Sequence, residues 1–197
     1  MKYLFIKSFG ITALAAAIAA CGGGSSSDSG STGTMSLDLT DAPVDNVSEV
    51  NLTVTGVVLQ PAEGERISFS VDHPERLTDL NLLSLQDGQV ESLLSDQSLP
   101  AGEYEWMRLE LGDAEGFTVV DSGGEHPLFV PSGAQRGLQT SGFVIPEGGS
   151  ADFTIDFDVR KSLAYNPGPG RYVLRPTLRL VDNVEVGEIA GTIDSTL

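Results

Sequence analysis

Residues 143–159 read FVIPEGGSADFTIDFDV. Apolar and polar residues alternate on both sides of a Pro-Glu-Gly-Gly-Ser segment, and this period of two is typical of β-strands that bury one face. Proline and glycine favour a turn between the two runs. The stretch therefore predicts a β-hairpin with strands at 143–145 and 153–159 and a turn at 146–150.

Short alternating runs of the same kind continue through most of the chain after the N-terminal region. Met35, Leu37 and Leu39 share one face of a strand that Pro43 ends, because proline donates no hydrogen bond to a strand ladder. Further strands are predicted at residues 50–59, 104–111, 117–120, 128–130 and 172–181. Helical periodicity is nearly absent, so the pattern predicts an all-β fold, an antiparallel β-sandwich of the immunoglobulin-like or prealbumin-like kind.

Two local features qualify this pattern. Apolar residues occupy even positions from Val50 to Val54 and odd positions from Val57 to Leu59, so we expect a β-bulge at Gly56. Residues 79–83 are too few for periodicity to separate a strand from a helix, and we favour one helical turn there.

The N-terminus is typical of an exported lipoprotein. Lys2 and Lys7 precede an apolar core at about residues 11–20. Small residues then lead to Cys21, and this order is typical of a secretory signal peptide with a lipoprotein processing site. We expect cleavage before Cys21 and attachment of fatty acyl (palmitate) chains to it, which anchor the mature chain to the cell envelope. An uncleaved membrane span is the alternative, but a spanning helix needs about 20 apolar residues. Gly22 after the cysteine indicates the outer membrane if the cell is Gram-negative.

The chain is expected to divide into four segments. Residues 1–20 are the signal peptide, residues 21–33 a flexible Gly/Ser-rich tether, residues 34–182 the β-sandwich domain and residues 183–197 a C-terminal tail. The tail reads like the first strand of another β-module. It either pairs back onto the sandwich or belongs to a truncated second module, and we favour truncation.

Composition excludes several classes of function. The chain has 11 basic and 28 acidic residues, a net charge of −17, and losing the two lysines of the signal peptide makes it −19. A field of this sign repels nucleic acid and anionic lipid surfaces, so no nucleic-acid partner is expected. Cys21 is the only cysteine and lipidation consumes it, so neither a disulfide nor a zinc–thiolate site is expected.

Aspartates of the predicted hairpin are the sharpest candidates for a metal site. Asp152, Asp156 and Asp158 have the same parity, so they share one face of the predicted strand. With Asp41 from a loop they form a speculative calcium set, because calcium takes six to eight oxygen ligands. We favour the simpler interpretation that these carboxylates face water with Arg160 as a counter-ion. No cofactor is therefore expected, with calcium as the one exception to test.

A second acidic cluster, Asp38, Asp41 and Asp45, lies beside the Pro43 turn. Aspartate commonly hydrogen-bonds its own backbone in such turns, and that structural role is the one we expect. No pair of carboxylates is singled out for glycoside hydrolysis.

Catalytic motifs are missing from the sequence. The two histidines, His73 and His126, each precede a proline in a predicted loop. No Gly-x-Ser-x-Gly elbow, His-Glu-x-x-His motif, phosphate loop or dinucleotide fingerprint occurs. We do not expect an enzyme; a hydrolase would need a deep pocket converging on one of the histidines.

Five short motifs resemble, in order, a known family. They are Ser36-Leu37-Asp38-Leu39-Thr40-Asp41-Ala42-Pro43-Val44-Asp45, Leu99-Pro100-Ala101-Gly102-Glu103-Tyr104, Val130-Pro131-Ser132-Gly133, Asp156-Phe157-Asp158-Val159-Arg160-Lys161-Ser162 and Leu174-Arg175-Pro176. Together they resemble the bacterial lipoprotein domains catalogued as domain of unknown function 4382, over about residues 34–182. The resemblance implies an exported, often lipid-anchored β-domain, followed in longer members by a transthyretin-like or carboxypeptidase-regulatory-like module, and it implies no activity. The second motif is also similar to the late hairpin of prealbumin-like modules.

Three functions follow from these observations. The favoured one is a non-catalytic, lipid-anchored module of the cell envelope that serves in binding, adhesion or structure, with an envelope protein or glycan as its partner. The alternatives are a calcium-dependent binding module and, less favoured, an envelope hydrolase.

Overall fold

A computed structural model describes residues 30–41, 44, 46–131 and 138–184. Nearly all of the regular structure in these residues is strand, which confirms the all-β prediction. The strands are β1 Thr32–Asp41, β2 Val47–Leu52, β3 Val54–Pro61, β4 Ile67–Ser70, β5 Leu80–Asn81, β6 Glu91–Pro100, β7 Gly102–Leu111, β8 Thr118–Asp121, β9 Gly124–Phe129, β10 Leu138–Gln139, β11 Phe143–Ile145, β12 Ser150–Phe157, β13 Leu163–Asn166, β14 Arg171–Leu174 and β15 Leu178–Asp182. The helical segments are α1, Val159–Ser162, and the 3₁₀ turns Leu82–Leu85 and Ala114–Gly116.

The described strands form three sheets around one core. The first sheet has the order β15-β12-β1-β6, the second β10-β7-β3-β4 with β11 also paired to β7, and the third β13-β14-β9-β8-β2-β5. The pairs β1–β12 and β14–β9 are parallel. The sandwich prediction is confirmed, but the first and third sheets are mixed rather than wholly antiparallel.

Alternation along β1 shows how the core is built. Met35, Leu37 and Leu39 are fully buried, as predicted, while the residues between them are only half-buried. Met107 of the second sheet and Val119 of the third belong to the same buried cluster. One apolar core therefore joins all three sheets.

The hairpin predicted at residues 143–159 is wrong in its pairing. Both strands form, but β11 pairs with β7 of the second sheet and β12 lies between β1 and β15 of the first. The turn between them crosses from sheet to sheet and is held by β1: the Thr34 amide donates to the Gly149 carbonyl at 3.0 Å, and the Gly148 amide to the Thr32 carbonyl at 2.8 Å. Alternation of apolar and polar residues predicts which side chains of a strand are buried, but it does not predict which strands pair with one another.

The Leu99-Pro100-Ala101-Gly102-Glu103-Tyr104 motif also crosses between sheets, so its likeness to a prealbumin hairpin is not borne out. β6 pairs with β1 and β7 pairs with β3. The corner is closed by the buried Tyr104, whose hydroxyl donates to the Pro100 carbonyl at 2.9 Å. The Tyr104 ring stacks on Phe143 with centroids 4.8 Å apart.

The predicted bulge at Gly56 is confirmed. The register between β3 and β7 shifts between Val54 and Gly56. A Cβ atom on Gly56 would lie 2.7 Å from the Phe69 carbonyl oxygen, so the close approach of β4 requires glycine here.

Two strands predicted as continuous are each divided between sheets. The run 50–59 separates into β2 and β3 at Thr53, and the run 172–181 into β14 and β15 around Pro176. Proline interrupts the second run because it cannot donate to a ladder. The helical turn predicted at residues 79–83 is only partly right: Leu80–Asn81 form strand β5, and a 3₁₀ turn follows at Leu82–Leu85. The Asn81 side chain caps this turn by accepting from the Leu83 amide at 3.1 Å.

The signal peptide, Cys21, most of the tether and most of the tail lie outside the described residues. Among the residues described, no helix is long and apolar enough to cross a membrane.

Candidate functional site

Two of the candidate calcium ligands face outward from β12. The Asp156 Oδ2 atom accepts from an Arg179 guanidinium nitrogen at 2.9 Å, and the Asp152 Oδ1 atom accepts from Asn183 Nδ2 at 3.0 Å. Arg179 lies directly opposite Asp156 in the β12–β15 register. The counter-ion of Asp156 is therefore Arg179 of the neighbouring strand and not Arg160. The positive charge of Arg160 acts on Asp158 instead, where it helps to lower the pKa.

Asp158 lies just beyond the end of β12. β12 ends at Phe157, and Asp158 is the N-cap of α1: its Oδ1 atom accepts from the Lys161 amide at 3.0 Å and its Oδ2 atom lies 2.6 Å from Lys161 Nζ. These contacts, first of all the side-chain hydrogen bond from Lys161, hold the pKa of Asp158 below its ordinary value. The Asp158 side chain bonds to the backbone of α1 and so favours the start of a helix over continuation of the strand. The alternating sequence pattern did not show this end of the strand.

Asp41 is buried, with 5% of its surface exposed. Its Oδ1 atom accepts from the Val159 amide and its Oδ2 atom from Gln86 Nε2, each at 3.2 Å. The carboxylate thus joins the end of β1 to the start of α1, across 118 residues of sequence. Both of these contacts run to segments distant in sequence. Pro43 and Asp45 lie outside the described residues, so the predicted contact of Asp41 with the neighbouring turn stays a prediction.

Asp38 lies close to other acids on the outer face of the first sheet. Burial raises the pKa of Asp38, a hydrogen bond with Ser92 opposes that shift, and the negative charges of Asp152 and Glu91 add to it. Like-charge proximity of this kind favours protonation.

These carboxylates do not assemble into a recognisable metal centre. Across the described ranges, no group of three or more His, Cys, Asp or Glu side chains is placed to hold a metal ion. A crevice of about 370 Å³ does contain Asp156 and Asp158, but Lys161 and Arg179 line it as well. The positive side chains neutralise the acids there. Calcium binding stays a prediction.

The two histidines have different environments. His73 lies in a loop as predicted, its side chain about half exposed and its Nδ1 atom 3.5 Å from Glu75. His126 lies within β9 rather than in a loop. Pro127 is tolerated in this strand, where it is exposed to solvent.

His126 belongs to a cluster that sequence reasoning missed, formed with Asp121, Tyr165 and Tyr172; we call it the tyrosine clamp. The Asp121 Oδ1 atom lies 3.1 Å from His126 Nε2, and the Tyr172 hydroxyl donates to Asp121 Oδ2 at 2.7 Å. The His126 ring contacts the Tyr165 and Tyr172 rings edge-on, with centroids 5.6 and 5.8 Å away. The glycine turn after Asp121 was the only sequence signal for this cluster. Tyr172 lies on β14, 51 residues further along the chain, so the sequence did not indicate that the two residues are in contact.

The clamp perturbs the titration of two of its members. The hydrogen bond from Tyr172 is the main cause that lowers the pKa of Asp121. Burial, followed by the hydrogen bond to Asp121, raises the pKa of Tyr172 to about 12. In the described structure His126 bonds to no serine, threonine or cysteine side chain, so the cluster lacks the nucleophile–base contact that a hydrolase needs.

A third arrangement, also missed from sequence, lies on the outer face of the second sheet. Trp106, the only tryptophan, has the guanidinium carbons of Arg66 and Arg108 each 5.3 Å from its ring centroid. We call these three residues the tryptophan canopy. Arg108 follows Trp106 on the same face of β7, but Arg66 comes from the start of β4, two strands away, and only the sheet brings it close.

The fold and these sites together define an all-β sandwich domain whose acidic side chains largely make structural contacts. The chain belongs to the family described as Domain of unknown function (DUF4382), whose family model matches residues 32–176. The family assignment drawn from the five motifs is thereby confirmed, while the lipid anchor stays a prediction. No curated protein and no solved structure matches the chain.

Proposed function

We propose that this protein is a non-catalytic binding module that acyl chains on Cys21 hold at the surface of a membrane in the cell envelope. The anchor rests on the signal-peptide composition and on Cys21. One acyl chain binds a membrane only marginally, whereas two or more hold a protein firmly. A Gly/Ser-rich segment of about a dozen residues has a root-mean-square reach of roughly 20 Å, which keeps the domain near its membrane.

The observation that carries the non-catalytic part is the engagement of the candidate reactive groups. Asp41, Asp156 and Asp158 each accept hydrogen bonds from a neighbouring protein group. His126 is held by Asp121 and packed by two tyrosine rings. General acid–base chemistry needs such groups within reach of a substrate proton, and here their polar atoms serve the fold. Sheet faces remain as the surfaces available to a ligand.

The anchor is tested in cells that express the full chain, by metabolic labelling with a clickable palmitate analogue followed by membrane fractionation. The wild type should carry the label and sediment with membranes, and Cys21→Ser should lose both properties. Ser25→Ala, four residues along the same segment, is the matched control and should behave as the wild type. Label on Cys21→Ser, or an unlabelled wild type in the soluble fraction, would overturn the proposal.

A further inference from the structure

The tryptophan canopy places two positive charges over one aromatic ring in a chain of net negative charge. A guanidinium over an indole face is a cation–π contact, which is favourable at this distance. Each guanidinium carbon lies 5.3 Å from the ring centroid, so the distance between the two carbons is no more than twice that value. Two like charges so close repel one another and attract an anion.

Neither guanidinium of the canopy is neutralised by the protein. Among the described residues, no carboxylate lies within 4.0 Å of Arg66 or Arg108, whereas Arg76, Lys161 and Arg179 each have an acidic partner. The Arg66 Nε atom donates to Gln60 Oε1 at 3.1 Å. The buried Arg108 Nε atom has no acceptor in the described structure.

The surface beneath the canopy is firm. Val58 pairs with Arg108 on one side and with Ser68 on the other. It is only 3% exposed, yet it is not part of the apolar core cluster. Since Val58 lies opposite Arg108 in the register, its burial indicates that side chains of this outer face cover it. Close packing of this kind holds side chains in place before any ligand arrives.

We propose that the tryptophan canopy binds the carboxylate of an acidic saccharide, with Arg66 and Arg108 as the anion-binding residues; this inference rests on the proposed binding function and specifies its ligand. Planar guanidinium groups match carboxylate geometry. The net charge of the chain disfavours densely charged partners such as nucleic acid, so the ligand carries its charges sparsely, as a glycan with one uronic acid among neutral sugars does. The exposed Ser68 hydroxyl lies on the same face and offers a hydrogen bond to a sugar hydroxyl group. The Gln60 amide donates to the Pro61 carbonyl and accepts from Arg66, so it positions that arginine.

The experiment uses the full mature lipoprotein in detergent micelles and follows tryptophan fluorescence, which reports on Trp106 alone because the chain has no other tryptophan. The probe is a trisaccharide of two glucose units and one glucuronate, and maltotriose is its neutral counterpart. The acidic trisaccharide should produce a saturable change and maltotriose none. Arg66→Gln and Arg108→Gln should each weaken binding at least tenfold. Arg160→Gln, which removes an exposed arginine outside the canopy, is the matched control and should bind as the wild type.

Arg108→Gln is paired with Arg108→Lys in case it unfolds locally. Lysine keeps the charge and loses the planar fork, so its affinity should fall between those of the wild type and the glutamine variant. No saturable change with the acidic trisaccharide, equal binding of maltotriose, or an equal response to the peptide Gly-Glu-Gly or to sodium acetate would overturn the saccharide assignment. Palmitate labelling of the same variants should match the wild type, so a failed titration is distinguishable from a failed anchor.

Discussion

At the residue scale, Asp121 shows how one carboxylate can organise a polar cluster. It accepts from the Tyr172 hydroxyl at 2.7 Å, from the Gly123 amide at 2.7 Å and lies 3.1 Å from His126 Nε2. These contacts use both of its oxygens and join the β8–β9 turn to β14. The tyrosine clamp therefore connects strands of the third sheet through side-chain hydrogen bonds.

Replacing Tyr172 by phenylalanine should make the free energy of unfolding decrease less steeply as the pH rises in the alkaline range. The folded pKa of Tyr172 is about 12, above the ordinary value of 10.0, so the unfolded chain releases this proton first. Stability contributed by the protonated hydroxyl is present below pH 10 and is lost as the pH rises towards 12. Urea unfolding at several pH values between 9 and 12 measures this slope, and Tyr172→Phe should have the shallower one.

Tyr165→Phe is the matched control for this variant. Tyr165 is 48% exposed and packs on the same rings, but in the described structure its hydroxyl bonds to no protein group. Its charge is the last of the causes that raise the pKa of Tyr172, so Tyr165→Phe should change the slope less than Tyr172→Phe does. Identical slopes for the wild type and Tyr172→Phe would show that folding does not raise the pKa of Tyr172.

At the scale of elements, the bulge in β3 is the feature that the sequence located best. A reversal of apolar parity at Gly56 predicted it, and the register shift opposite β7 confirmed it. The same strand also shows the limit of such reasoning, because the parity pattern did not show that β2 and β3 belong to different sheets.

Replacing Gly56 by alanine should lower the free energy of unfolding by about 2 kcal/mol, the middle of the range for overpacked sites. The added Cβ would lie 2.7 Å from a backbone oxygen of Phe69 and 3.1 Å from the Glu110 carboxylate, and the backbone atom cannot move away cheaply. Chemical denaturation measures the change. Gly116→Ala is the control, because a Cβ there meets no atom within 4 Å; an equal loss in both variants would argue against the steric explanation.

At the scale of the whole molecule, charge is distributed so that the candidate metal ligands are already engaged. Each of the four aspartates accepts from its own protein groups: Asp41 from the Val159 amide and Gln86, Asp152 from Asn183, Asp156 from Arg179 and Asp158 from Lys161. A cation would have to displace several of these contacts to gather its ligands. The acidic composition is thus compatible with a hydrated surface that keeps the domain soluble.

At fixed ionic strength, the melting temperature of the protein should be the same in millimolar calcium as in the presence of a chelator. A specific ligand at 100 times its Kd would add about 2.7 kcal/mol to the free energy of unfolding, a shift that calorimetry resolves easily. Magnesium is the control for general cation effects. A rise with calcium alone that Asp156→Asn abolishes would establish the calcium site instead.

Much of the fold followed from local patterns, and little of the candidate sites did. The buried faces of β1 and β12 could be predicted because side chains alternate with a period of two in any strand. The roles of Asp158 and Asp41 could not, because one depends on where a strand ends and the other on contacts 45 and 118 residues away. The tyrosine clamp and the tryptophan canopy are likewise assembled by strands distant in sequence.

The sequence by itself determined the all-β class, the buried faces of the strands, the bulge at Gly56 and membership of the family, since each depends on local periodicity, on glycine or on short motifs. Only the tertiary structure decided which strands pair, because an edge of hydrogen-bonding groups accepts any strand of suitable register. It sent the two predicted hairpin strands into different sheets, made β1 and β12 parallel neighbours, and brought Arg66 across two strands to Trp106. Residues far apart along the chain meet because strand pairing within each sheet and the shared core between the sheets bring their elements together.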